Sequence, residues 1–165
     1  VGCLTVVIPI YEKNMNSIWV NSLISQIWGR TNFKIVFEFL DVNSYTGINF
    51  INDLKYYNKL NFRDAPQIGV CFDIGNNYER DVIKEMENYN NYGLLYHIHI
   101  KEKDKKGKSV QLGKGTLGRN GWKEIFNLLK QMGYEGDLSL QVTRGKDGNE
   151  VETVQNQIEF IKDLM

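Results

Sequence analysis

The sequence contains no apolar run near the roughly 18 residues that a membrane helix needs, so it offers no candidate membrane span. Its opening stretch, Val1-Gly2-Cys3-Leu4-Thr5-Val6-Val7-Ile8, is apolar but short and β-branched. No basic segment precedes it, so it reads as a strand rather than a signal peptide. Cysteine is scarce: Cys3 and Cys71 both sit in strand-like apolar runs. Two buried thiols suit a reducing compartment better than a disulfide framework, and a cytoplasmic location is expected. Charge of one sign is absent too, with 20 Lys plus Arg against 20 Asp plus Glu and a pI near 6.9. That balance argues against a dedicated nucleic-acid partner, which would bring a basic excess, while leaving room for a basic patch around a small anion. No linker and no low-complexity segment interrupts the chain. Its 165 residues suit a single domain, 1–165, with a real core.

What is present is a rhythm of strands and helices. Leu4 to Ile10, Phe33 to Leu40, Gln67 to Ile74, Leu94 to Ile100 and Asp137 to Val142 are short runs rich in β-branched and aromatic residues, and read as strands. Helical spacing follows each of them. The first helix starts at Asn16 or Ser17 and carries Val20, Leu23, Ile24, Ile27 and Trp28. The second runs from an Asn49 cap to Leu60, and the third from about Tyr78 to Tyr89. Asn120 to Met132 presents Trp122, Ile125, Phe126, Leu129 and Met132 inward and stops at Gly133. Asn149 caps the last helix with Glu152 at the capping-box position, and Val151, Val154, Ile158, Ile161 and Leu164 form its expected buried stripe. Five βα units in succession imply a parallel sheet in a wound or barrel α/β fold.

In such folds chemistry sits at the C-terminal ends of the strands. Those positions carry Glu12, Glu38 with Asp41, Asp73 with Asn76, His97 with His99, and Gln141 with Arg144. A carboxylate within an apolar strand, such as Glu38, is costly unless paired or bound to a cation. His97 and His99 are two apart and project to one face. Two carboxylates and an imidazole from successive strands can converge on one divalent ion. The Lys101–Lys106 run reads as a solvated loop, and Leu112-Gly113-Lys114-Gly115 as a weak phosphate cradle.

The segments Glu38-Phe39-Leu40-Asp41, Asp73-Ile74-Gly75-Asn76, His97-Ile98-His99-Ile100-Lys101-Glu102, Leu112-Gly113-Lys114-Gly115 and Thr143-Arg144-Gly145 together resemble the xylose isomerase-like barrels in order and spacing. The resemblance is nearest to the sugar phosphate isomerase/epimerase group, which includes hexulose-phosphate isomerases and L-ribulose-5-phosphate 3-epimerases, and it covers nearly the whole chain. It implies a parallel (β/α) barrel of TIM type and a divalent metal (Mn, Mg or Zn) held by Glu, Asp, His and Glu from the last four strands. By position, Glu38, Asp73 and His99 match the first three ligands. Asn76 falls where the family contacts substrate, and His97 is expected beside the ion without ligating it. The fourth ligand position departs from the family, because Gln141 stands where Glu is expected.

Length is a second departure. A full barrel takes about 250 residues, whereas five units match only the fourth to eighth of the family, which makes this a partial barrel. A fragment of a longer barrel, a homo-oligomer completing one, or a sheet covered in another way all satisfy the exposed edges. The resemblance makes Glu38 the enolising base as well as a ligand. Arg144, Lys114 and Lys105 become contacts for a sugar or sugar phosphate. Gln141 cannot serve as a second base, so two-base epimerisation is weakened and isomerisation with Glu38 as sole base stays open. The rival from another class is a non-catalytic sugar-binding or assembly module. An abasic-site endonuclease of the same superfamily would need many histidines and a basic surface, and the chain has two histidines and no net charge.

Overall fold

The computed structural model describes residues 4–11, 22, 26, 33–40, 52–56, 67–143 and 148–165. The described strands are β1 (Leu4–Ile10), β2 (Phe33–Phe39), β3 (Gln67–Asp73), β4 (Leu95–Ile100), β5 (Glu102–Lys103), β6 (Ser109–Val110) and β7 (Asp137–Leu140). The complete helices among the described residues are α1 (Val82–Asn91), α2 (Gly118–Gln131) and α3 (Glu150–Lys162), with a 3₁₀ turn at Gly75–Asn77. Five strands form one sheet in the order β1-β2-β3-β4-β7. Each new strand therefore adds at the same edge, without the reversal of order that marks a doubly wound sheet. This is the α/β arrangement of a partial (β/α) barrel of TIM type.

The chain divides into two compact units. The first comprises Val1–Phe72 and Tyr89–His97. Here β1 pairs in parallel with β2 from Leu4↔Phe33 to Ile10↔Phe39, and β2 with β3 from Lys34↔Gln67 to Glu38↔Cys71. Ile35, Val36 and Phe37 are buried in succession, so β2 is covered on both faces, as expected of a strand inside a parallel α/β sheet. The Tyr89 ring packs against Phe39 and Phe72, with centroids 6.4 and 5.7 Å away. Gly69 lacks a side chain for a steric reason, because a Cβ there would stand 2.2 Å from Tyr96 Cδ2 and 2.7 Å from the Leu94 carbonyl. Residues 52–56 are helical, with Leu54 fully buried. The first predicted helix lies outside the described residues except for Ser22 and Gln26, both helical; the Asn49 cap also lies outside them.

The second unit comprises Asp73–Asn88 and Ile98–Met165. Helix α1 begins later than the expected Tyr78. Asp81 terminates it at the N-terminal end, its carboxylate accepting the Lys84 N–H at 3.1 Å and its carbonyl the Glu85 N–H at 3.0 Å. The stretch expected as an open polar loop contains an antiparallel hairpin, Glu102↔Val110 and Lys103↔Ser109. Asp104 organises its turn by accepting the N–H groups of Lys106 and Lys108, each at 2.9 Å. Helix α2 buries Trp122, Ile125, Phe126, Leu128 and Leu129. It ends in a Schellman motif: Tyr134 N–H reaches the Leu129 carbonyl, Gly133 N–H reaches that of Lys130, and Gly133 takes φ 61°.

The stripe expected for α3 is corrected. Thr153 and Gln157 are the buried residues, while Val151 is 72% and Ile158 40% exposed. The cause is a polar anchor, since Gln157 Oε1 accepts the Leu112 N–H at 2.5 Å, and this bond sets the phase of the helix. Asn149 is the N-cap residue, but its side chain contacts the Glu152 carboxylate instead of a backbone N–H.

Candidate functional site

The site is built in the second unit from consecutive strand ends. β3 delivers Asp73, 1% exposed, at its last position. Its Oδ1 accepts the Asn76 N–H at 2.8 Å, and its carbonyl accepts Asn77 Nδ2 at 2.8 Å, so the 3₁₀ turn fixes the carboxylate from below. β4 delivers His99, 7% exposed, and the His99 carbonyl accepts the Ile74 N–H at 3.1 Å. Asp73 Oδ2 then stands 3.7 Å from His99 Nδ1. Gln141 follows β7, held by its N–H on the Ile100 carbonyl at 2.9 Å, and its side-chain amide lies 3.0 Å from the same His99 Nδ1. Three residues singled out by sequence therefore gather around one ring nitrogen.

The donor set fits a divalent cation. Ligands bound at roughly 2.0–2.3 Å in octahedral or tetrahedral geometry stand about 2.8–3.8 Å apart. The Asp73–His99 separation of 3.7 Å falls within that range. A carboxylate oxygen with an imidazole nitrogen suits a hard or borderline divalent cation better than a soft metal. Gln141 can add its amide oxygen by turning the carboxamide over, though it contributes no charge.

In the first unit, Glu38 is 9% exposed near the end of β2 and in register with Cys71 of β3. Parallel register sets Glu38 and Cys71 on one face of the strand pair. Cys71 is buried. His97 is buried at 6% exposure on β4.

The remaining predicted residues stand differently. Lys105 and Lys114 are exposed, and Arg144 lies outside the described residues, as do Glu12 and Asp41. The phosphate-cradle reading of Leu112–Gly115 is corrected, because its N–H groups already have partners. Glu102, only 1% exposed, accepts Gly113, Gly115, Leu117 and Gly118 N–H groups with its carboxylate, along with Trp122 Nε1 at 2.8 Å. The Lys114 N–H goes to the Gln111 carbonyl and that of Leu112 to Gln157.

Sequence reasoning missed two residues. Lys101 places Nζ 3.6 Å from Asp73 Oδ2 and 3.4 Å from Asn76 Oδ1, and Glu102 organises the glycine-rich loop. The signal for Lys101 was the alternation His97, His99, Lys101, which continues one face of β4 past its end. For Glu102 it was a carboxylate next to a strand, followed by four glycines within residues 107–118 and no other obvious anchor.

The sequence profile of the "Xylose isomerase-like TIM barrel" family matches residues 21–164. No curated protein matches the chain by sequence. Solved structures of similar fold include a D-tagatose 3-epimerase-like protein, with TM-score 0.63 and 17% identity over 97% of this chain and 64% of that one. Another is the apo form of 3-keto-D-glucoside 4-epimerase, YcjR, from E. coli, with TM-score 0.61 and 20% identity over 89% of this chain and 52% of that one. The AsfvAP:AG structure gives TM-score 0.67 and 12% identity over 97% and 62%. The chain thus spans between half and two thirds of the length of these structures. At such identities the likeness concerns the fold, and the profile match, which takes in β2, β3, β4, β7 and every site residue named above except Glu12, carries the assignment: this chain belongs to the xylose isomerase-like TIM barrel family.

Proposed function

We propose that the chain is the site-bearing part of a sugar isomerase or epimerase that moves a proton next to a ketose carbonyl, with a divalent metal held by Glu38, Asp73 and His99. The observation that carries this reading is the Asp73 Oδ2–His99 Nδ1 pair, 3.7 Å apart and almost fully buried at the ends of adjacent strands. When bound, the metal supplies a Lewis acid that polarises the carbonyl. With one base the balanced step is isomerisation: Glu38 takes the proton from the carbon beside the carbonyl and delivers it to the former carbonyl carbon, while the proton of the neighbouring hydroxyl passes to the carbonyl oxygen, which makes Glu38 the general base as well as a ligand. Asp73 and His99 hold their donor atoms rigidly, the first through its turn and the second through its strand. Gln141 orients His99 and carries no proton.

Asn76 and His97 are proposed to contact substrate hydroxyls, and Lys105, Lys114 and Arg144 a phosphate or further hydroxyls. The burial of Cys71 within a strand supports a reducing, cytoplasmic setting. Among the described residues no helix is long and apolar enough to cross a membrane.

Solvent deuterium exchange into ketose phosphates and free ketoses tests the proposal. Metal-dependent label at the carbon beside the carbonyl, abolished in Glu38→Gln, is the expected result. Gln141 favours a second reading, a sugar-binding protein without catalysis, because a neutral amide replaces the expected second base. Saturable sugar binding with no exchange would establish that alternative.

A further inference from the structure

We propose that the Lys101 ammonium is a built-in cation that competes with a divalent metal for Asp73 and thereby sets the metal affinity of the site. This inference rests on the metal reading above and adds a residue to it. Lys101 directly follows β4, so it projects to the same side as His99, two residues earlier. Its Nζ lies 3.6 Å from Asp73 Oδ2, the same oxygen that stands 3.7 Å from His99 Nδ1. One carboxylate oxygen therefore faces both the imidazole and the ammonium. Any cation drawn to that oxygen meets a positive charge already there.

Two further contacts show that the ammonium is placed by the fold. Asn76 Oδ1 receives Nζ at 3.4 Å, and Asn76 itself is fixed by its N–H on Asp73 Oδ1. Gly75 makes room for the aliphatic stem, since a Cβ at Gly75 would stand 2.8 Å from Lys101 Cγ and 3.1 Å from both its Cβ and Cδ. Gly75 is not among the glycines with positive φ, so its requirement is space and not backbone conformation. The Lys101 side chain is 22% exposed against 1% for Asp73, which limits solvent screening between the two charges. Gln141 sharpens the effect, because the residue on the other side of His99 brings no negative charge to offset the ammonium.

Mn²⁺ titration of the metal-free chain by calorimetry, at fixed ionic strength, tests the proposal without reference to activity. Lys101→Met keeps the stem and removes the charge, and Mn²⁺ affinity should rise at least about 10-fold. Gly75→Ala keeps the charge but displaces the stem, and should tighten Mn²⁺ by a smaller factor. In an Asp73→Asn background the gain from Lys101→Met should vanish. If the unsubstituted chain binds Mn²⁺ and both variants bind it no more tightly, the role of Lys101 is overturned while the metal reading stands. If none of the proteins binds Mn²⁺, both fall. Binding that appears only in Lys101→Met and Gly75→Ala would support both.

Discussion

The carboxylate of Glu102 and the indole N–H of Trp122 meet at 2.8 Å, in a place where the residues are 1% and 0% exposed. A strand-end acid thus locks onto the first turns of α2, and its oxygens also collect three backbone N–H groups of the preceding loop and that of Gly118, the first residue of α2. Removing the acid strands buried donors, which costs more than the bonds themselves contribute. Glu102→Leu should lower the unfolding free energy by on the order of 3 kcal/mol or more in urea denaturation, and Trp122→Phe by about 1–2 kcal/mol. Equal costs for the two would mean the loop bonds add nothing.

Gly69 offers a steric test in the first unit. Alanine there must displace the Tyr96 ring or the Leu94 carbonyl, both far inside contact distance. Gly69→Ala should destabilise by about 1–3 kcal/mol, and Tyr96→Leu in the same background should recover part of it by removing the ring. Thermal unfolding of the two variants side by side decides the matter.

Gln141→Glu tests the mechanism. A carboxylate beside His99 adds a full charge next to the proposed cation, so Mn²⁺ binding should tighten. It also adds a second proton carrier, for which general acid–base help of about 10²–10⁴-fold is typical. Epimerisation at the carbon beside the carbonyl should rise accordingly, while exchange that depends on Glu38 alone should change little. Unchanged metal affinity would mean that Gln141 does not stand at the fourth ligand position.

The phase of α3 is testable by two substitutions one residue apart. Gln157→Leu leaves the Leu112 N–H without its acceptor and should cost about 1–3 kcal/mol. Ile158→Ser, on the exposed side, should stay within roughly 1 kcal/mol of the parent. Chemical denaturation should rank them in that order.

The strands were the legible part of this fold. β1 occupies the expected Leu4–Ile10, and β2 and β3 end one residue short of expectation, because continuous apolar runs leave little freedom in placing a buried strand. The same runs place Asp73, His99 and Gln141 each one residue before the end of its expected strand. What escaped was set by polar bonds between distant residues. The Asp81 cap was hidden behind the aromatic and charged residues Tyr78 to Arg80, which mimic a helical start. Two-residue strands such as β5 and β6 have no periodicity to read. The apolar stripe of α3 differs from expectation because the Leu112 N–H takes Gln157 as its acceptor, which buries a polar residue of the helix while Val151 and Ile158 stay exposed.

The Glu102 knot also bears on how this part of the chain opens. Strand, hairpin, loop and helix start all draw on a single carboxylate, so none of them can fray without releasing the others. Amide protons at Gly113, Gly115, Leu117 and Gly118 would then exchange with deuterated solvent as one group with a shared opening free energy, although the first three lie in a loop and the last only begins α2. Such a result would give a glycine-rich turn the slow exchange expected of a helix interior.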